Sequence, residues 1–215
     1  MKKKCIKLKN GEIYELPIED VEFLKFSDEL IKTRNYYTIS LITNEIKKRK
    51  SLYDIKYMDI YKSWLYESTS SWEICDILCY RVLNPMIEKK ILLFDEVLQW
   101  AKSDKTYVKR AAAVCLLHSS QTFSVIVPFE FVKSVTELLL DDTNIHVQKG
   151  VGWLLKYSYC TYPTQTFDFI KKFVDKMSSK TFFYALEKFS PKDRNELIDY
   201  RKSILQRTEK LQKSK

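Results

Sequence analysis

Only three glycines and five prolines stand in 215 residues. That scarcity excludes glycine-rich phosphate loops, collagen-like chains and most turn-rich all-β folds, which need glycine wherever the backbone takes positive φ or approaches another group closely. What remains is a chain able to run in helices. Hydrophobic residues make up 45% and aromatics 14%, enough for one sizeable core and unlike a disordered tail. No run of about 18 apolar residues occurs, so no membrane span is expected. The opening Met1-Lys2-Lys3-Lys4 has the charge of a secretion-signal start, but residues 6–16 interrupt their apolar positions with Lys and Glu. No apolar segment follows, and a cytoplasmic protein is expected.

The one strand-like stretch is N-terminal. Cys5-Ile6-Lys7-Leu8-Lys9 and Glu12-Ile13-Tyr14-Glu15-Leu16 alternate on either side of Asn10-Gly11, and Asn-Gly is the strongest short hairpin signal. Residues 1–17 therefore read as an N-terminal hairpin or arm ended by Pro17. A lone hairpin is marginal, so it should either dock on the helices or be frayed. From residue 18 onward the apolar spacing is helical. It predicts helices over about 18–32, 34–49, 52–66, 72–84, 86–102 in two short pieces, 106–119, 128–141, 144–159, 163–178, 179–189 and 191 into the lysine-rich tail. Val21, Leu24, Leu30 and Ile31 should point inward from the first, and Tyr36, Ile39, Leu41, Ile42 and Ile46 from the second. Several starts carry Pro, Ser or Asn, the usual opening residues. Pro128 and Pro163 both open helices and lie 35 residues apart, a spacing typical of helical repeats. The expected fold is all-α, one helical repeat solenoid over 18–213 with a concave binding groove; a compact helical bundle is the alternative.

Thirty-seven Lys and Arg against 28 Asp and Glu give a net charge of +9. Such an excess favours a polyanionic partner, nucleic acid or an anionic membrane surface, or else reflects scattered solvated lysines. Five cysteines, no C-x-x-C and two distant histidines give no structural zinc signature. Cys75, Cys79, Cys115 and Cys160 fall in apolar helical segments and read as small buried side chains of a reducing compartment.

Three clusters stand out. Trp72 and Asp76 are spaced i, i+4 and share a helix face; a carboxylate among Cys75, Ile77 and Leu78 is either paired, functional or turned to solvent. Lys109-Arg110 precedes Ala111-Ala112-Ala113, putting two cations beside small residues that allow close helix approach. Lys149-Gly150-Val151-Gly152-Trp153 places two glycines inside a helix, where each costs about 1 kcal/mol relative to alanine. Close packing of another helix or approach to a ligand should compensate. Trp64 and Trp100 read as core, His118 as a helix-end residue and His146 as first-turn. Neither a Ser/His/Asp nor a Cys/His arrangement is present.

Taken in order, these segments resemble the DNA alkylation repair family, the HEAT-repeat, AlkD-like DNA glycosylases, over about residues 18–190. The carriers are Trp72-Glu73-Ile74-Cys75-Asp76, then Trp100 with Arg110 ten residues on and the alanine run, then Lys149-Gly150-Val151-Gly152-Trp153 with Lys156. Arg34-Asn35-Tyr36-Tyr37-Thr38-Ile39-Ser40-Leu41 is a looser match. The resemblance implies a HEAT-like fold with a basic groove and hydrolysis of the N-glycosidic bond of purines made cationic by N3 or N7 alkylation, with neither cofactor nor metal. It implies that Trp72 and Trp153 hold the nucleotide and that Asp76 stabilises an oxocarbenium-like sugar. Arg110 would grip a phosphate, with Lys109, Lys149 and Lys156 as further contacts and Tyr107 where the family often has Trp. The partner would be double-stranded, alkylated DNA and the protein a monomer. Only a short segment precedes Arg34, which implies fewer minor-groove contacts, and Phe182-Phe183-Tyr184-Ala185 replaces a familial Arg-Glu-Ala run. Two other readings remain: a DNA-binding relative with little or no excision, and a helical-repeat scaffold for a protein partner.

Overall fold

A computed structural model of the chain describes residues 5–119 and 123–213; residues 1–4 of the expected arm lie outside the described residues. Cys5–Lys7 (β1) and Ile13–Glu15 (β2) pair antiparallel, with Ile6 opposite Tyr14. Gly11 takes φ +93° in the connection, a conformation open to glycine at little steric cost. The Leu8 amide donates to the Glu12 carbonyl at 2.7 Å. Of the two outcomes open to it, the hairpin docks. Leu16 is buried, Ile6 and Leu8 pack against the core, and the Tyr14 ring lies 5.7 Å from that of Phe26. Arg49 donates to the carbonyls of Pro17 and Ile18 at 2.7 and 2.9 Å.

The rest is helical: α1 Asp20–Ile31, α2 Tyr36–Lys48, α3 Met58–Ser63, α4 Trp72–Leu78, α5 Asn84–Glu88, α6 Phe94–Ala101, α7 Thr106–Val114, α8 Phe129–Leu139, α9 Ile145–Thr161, α10 Pro163–Lys172, α11 Ser179–Ala185 and α12 Pro191–Lys213. One row runs α2, α4, α7, α9, α11, each helix packed on the next. A second row covers it: α6 packs on α7 and α8, α8 on α9, and α10 on α9 and α12. Each helix thus meets neighbours close in sequence, as in a helical repeat. Polar contacts between successive units keep the same spacing. Cys75 to Tyr107, Lys109 to Asp142, Asp76 to Arg110, Lys156 to Glu187 and Tyr159 to Asp193 are separated by 31 to 34 residues.

Several expectations are corrected. Pro85 does not stop its helix. The chain widens into a π-helical segment over Cys79–Leu83 and continues as α5, with Pro85 in the first turn. Proline cannot bond the carbonyl four residues back; that carbonyl, of Arg81, instead accepts from the Tyr53 hydroxyl at 2.8 Å. Helix α7 ends at Val114 rather than near 119, because Leu117 forms an antiparallel bridge with Val125 and the Leu116 carbonyl accepts from Ile126. His118 follows that bridge rather than closing a helix. Val21 and Tyr36 are about half exposed. In α1 the buried stripe is Phe23, Leu24, Ser27, Leu30 and Ile31, and Val21 is rotated off it. Trp64 and Trp100 are core residues as expected, their indole N–H groups satisfied by Asp28 and Glu96.

Cys75, Cys79 and Cys115 are buried, whereas Cys160 is exposed on the outer turn of α9. Burial pushes the Cys79 and Cys115 thiols well above their ordinary range, so they are poor nucleophiles. Titration with a thiol-specific reagent should find two fast thiols, Cys5 and Cys160, in the native protein and five after denaturation. Rapid modification of a third native thiol would contradict this packing.

Candidate nucleic-acid interface

The row α4–α7–α9–α11 carries the site. Ser71 caps α4 by accepting from the Ile74 amide at 3.4 Å. This places Trp72 in the first turn, 45% exposed, and Asp76 one turn on, buried. On α7, Arg110 crosses to α4. Its Nε and Nη2 donate to Oδ1 and Oδ2 of Asp76, both at 2.8 Å. Its remaining Nη1 donates to the His146 carbonyl of α9 at 2.7 Å. The guanidinium carbon sits 6.0 Å from the Trp72 ring centre, within cation–π range.

Burial pushes the Asp76 carboxyl above its ordinary value; the hydrogen bonds and charge of Arg110 pull it back without cancelling the rise. Burial also disfavours the guanidinium charge, yet Asp76 holds the Arg110 value above the ordinary one. The arginine keeps its proton throughout the neutral range, so the carboxylate has a permanent counter-charge. A fork-to-fork pair of this kind fixes the plane of the carboxylate as well as its position.

The glycines of α9 have separate steric reasons. A Cβ on Gly150 would lie 3.3 Å from Cγ of Arg110, and one on Gly152 would lie 3.0 Å from both the Thr181 carbonyl oxygen and Tyr184 Cβ on α11. Gly150 gives Arg110 room to reach Asp76. Gly152 lets α11 close against α9. Trp153 is then half-buried, its ring 5.7 Å from Tyr80 and 6.2 Å from Tyr157.

Trp72, Asp76, Arg110, Lys149 and Trp153 all line one open cleft of about 850 Å³. The other candidates lie outside its lining. The Lys109 ammonium pairs with Asp142. Lys156 is buried, bonded to Glu187 at 3.0 Å and 4.2 Å from the Tyr184 ring centre. Tyr107 is half-buried with its ring 5.6 Å from that of His146. The cleft also contains His146, Ser179, Lys180, Phe183, Tyr184, Glu187 and Arg194, none of them a site candidate in the sequence. One signal was available: Phe182-Phe183-Tyr184 is three successive aromatics on a helix, which cannot all face one core at about 100° per residue. Phe182 is buried and Phe183 is 49% exposed.

Two stability measurements test this geometry. Arg110→Ala leaves Asp76 buried without its counter-charge and should destabilise by about 3–5 kcal/mol in a denaturant melt; the Asp76→Asn, Arg110→Ala double variant should lose less than the sum of the singles. Gly152→Ala should destabilise by about 1–3 kcal/mol through overpacking against α11. A melt identical to wild type would show that α11 is not seated on α9 as described.

The family model for the DNA alkylation repair enzyme matches residues 14–189, well over half of the chain and all of the row that builds the cleft. Comparison with curated proteins gave no match. By that family match, whose span takes in the Trp–Asp–Arg–Trp cleft, the chain belongs to the DNA alkylation repair enzyme family.

Proposed function

We propose that this protein is a DNA glycosylase that hydrolyses the N-glycosidic bond of cationic N3- or N7-alkylated purines in double-stranded DNA. It would work as a monomer in the cytoplasm with no cofactor or metal. The observation that carries the reading is the convergence of Trp72, Asp76, Arg110 and Trp153, from three successive helices, on one open cleft. An alkylated purine already carries positive charge, so it leaves with the bonding electron pair and becomes neutral without a general acid. Water supplies the hydroxyl at C1′, and its second proton passes to solvent. What accelerates such a step is negative charge and electron-rich surface fixed where positive charge sits in the transition state. Asp76 supplies the first. Trp72 and Trp153 supply the second through their ring faces. Arg110 is a positioning residue: its bidentate grip and its bond to α9 hold Asp76 in place without reorganisation. Of the cations singled out from the sequence, Lys149 is placed to meet a phosphate from within the cleft, whereas Lys109 and Lys156 lie outside its lining and are paired.

An open cleft suits a nucleotide met at the surface rather than drawn into a deep pocket, and the family's role in alkylation repair implies DNA as the substrate. A second reading keeps DNA binding and drops excision; burial of Asp76 beneath its arginine, which restricts access to the carboxylate, favours it.

Release of 7-methylguanine and 3-methyladenine from methylated duplex DNA decides between them. Wild type should release modified base, and Asp76→Asn, which keeps shape and removes charge, should lose about 10²–10³-fold in single-turnover rate. Because the Asp76 value is raised, the Asp76-dependent part of the rate should fall on acidification at higher pH than for an ordinary exposed aspartate. No release by a folded wild type that still binds duplex DNA in a salt-dependent way would establish the second reading, and equal release by the variant would remove Asp76 from the chemistry.

A further inference from the structure

The cations near Asp76 are already neutralised within the protein. Lys109 is held by Asp142, Arg110 by Asp76 and Lys156 by Glu187. A DNA phosphate that recruited any of these would have to displace a carboxylate. For Arg110 it would also strand the buried Asp76 carboxylate without its counter-charge.

The same cleft has another set. Lys180 on α11 and Arg194 in the first turn of α12 line it together with Lys149. All three are exposed, and none forms an ion pair with a described residue. Binding a phosphate there displaces only water and counterions, which is the favourable case. Phe183 stands on the same stretch of wall. The edge of its packing is fixed, because the buried ring of Phe182 lies 5.2 Å away in a T-shaped contact, yet its outer face is open. An exposed aromatic in one cleft with cations that form no ion pair with a described residue is the combination that tracks a nucleic-acid strand: charge for the backbone, a ring for sugars or bases.

We propose that Lys180, Phe183 and Arg194, with Lys149, form a phosphodiester-binding lip that holds the strand flanking the target nucleotide. The cations contact phosphate oxygens, and Phe183 covers the apolar face of a neighbouring sugar or base. This rests on the cleft being the DNA site, but it assigns the backbone grip to α11 and α12 rather than to Arg110.

The test is affinity for an undamaged duplex, measured by fluorescence anisotropy across a salt series, with melting temperatures to verify folding. Each cation removed from phosphate contact lowers the slope of log affinity against log salt by about 0.9. The Lys180→Ala, Arg194→Ala double variant should therefore lose about 1.8 from that slope. Phe183→Ala should lose roughly tenfold in affinity at every salt concentration and keep the slope, because a ring contact releases no counterion. Lys171, paired with Glu196 outside the cleft, is the control, and Lys171→Ala should keep the wild-type slope. A double variant with the wild-type slope overturns the lip. So does a Lys171→Ala variant that loses as much per charge, which would mean diffuse surface charge, or a wild-type protein without salt-dependent binding. Excision by Asp76→Asn is followed in parallel. Loss of excision in that variant with no slope change in the double variant sinks the lip alone; the converse sinks the Trp–Asp chemistry and leaves the lip standing.

Discussion

Arg110 uses three nitrogens to tie three helices. Nε and Nη2 close on Asp76 of α4, and Nη1 closes on the His146 carbonyl of α9, while the side chain itself belongs to α7. Most of what surrounds the cleft follows from that reach. Asp76 can be buried because its charge is matched. Trp72 covers the guanidinium from the solvent side. Gly150 is a glycine because a side chain there would crowd the arginine stem. The two tryptophans, on α4 and α9, are brought to one cleft because the helices on either side of α7 are held at the distance one arginine spans.

That same pairing changes what net charge means for this protein. A total of +9 is a statement about composition, and composition does not say which cations are available. Beside the carboxylate of the site they are bound internally. Lys149, Lys180 and Arg194, on the wall of the same cleft, pair with no described residue. In the function proposed above, the cleft would divide its labour: a neutralised floor for the chemistry, and an exposed wall whose charges are open to a polyanion. Burying charge strengthens positioning, and leaving charge in water keeps it ready to exchange counterions for phosphate.

Much of the fold was legible because it rests on local signals. The Asn10-Gly11 turn, the caps Ser71 and Asn144, and Pro163 at a helix start each act within a few residues, and each appears where expected. The 35-residue spacing of Pro128 and Pro163 is close to the 31 to 34 residues that separate the partners of the cross-helix hydrogen bonds. Misreadings arose where a local signal was overruled from a distance. Pro85 would end a helix, but Tyr53 satisfies the carbonyl it leaves free. The apolar run after Ala113 keeps a helical period, but Val125 and Ile126 return to pair with it. Cys160 has the company of a core residue and faces outward, because α9 is covered on only part of its circumference.

The candidate site divides along the same line. The sequence by itself determined which residue types stand one helical turn apart, and hence that Trp72 and Asp76 share a face and that Gly150 and Gly152 need close neighbours. It also determined, through a resemblance spread along the chain, the family to which those residues belong. Only the tertiary structure decided that Arg110 holds a carboxylate, that Lys109 and Lys156 are already paired, and that Lys180, Phe183 and Arg194 stand at the same cleft as Trp72. The physical reason is range. Helix periodicity and capping act over a few residues of chain, whereas an ion pair is set by a distance in space between residues more than thirty apart, and no local pattern states which carboxylate a cation will meet.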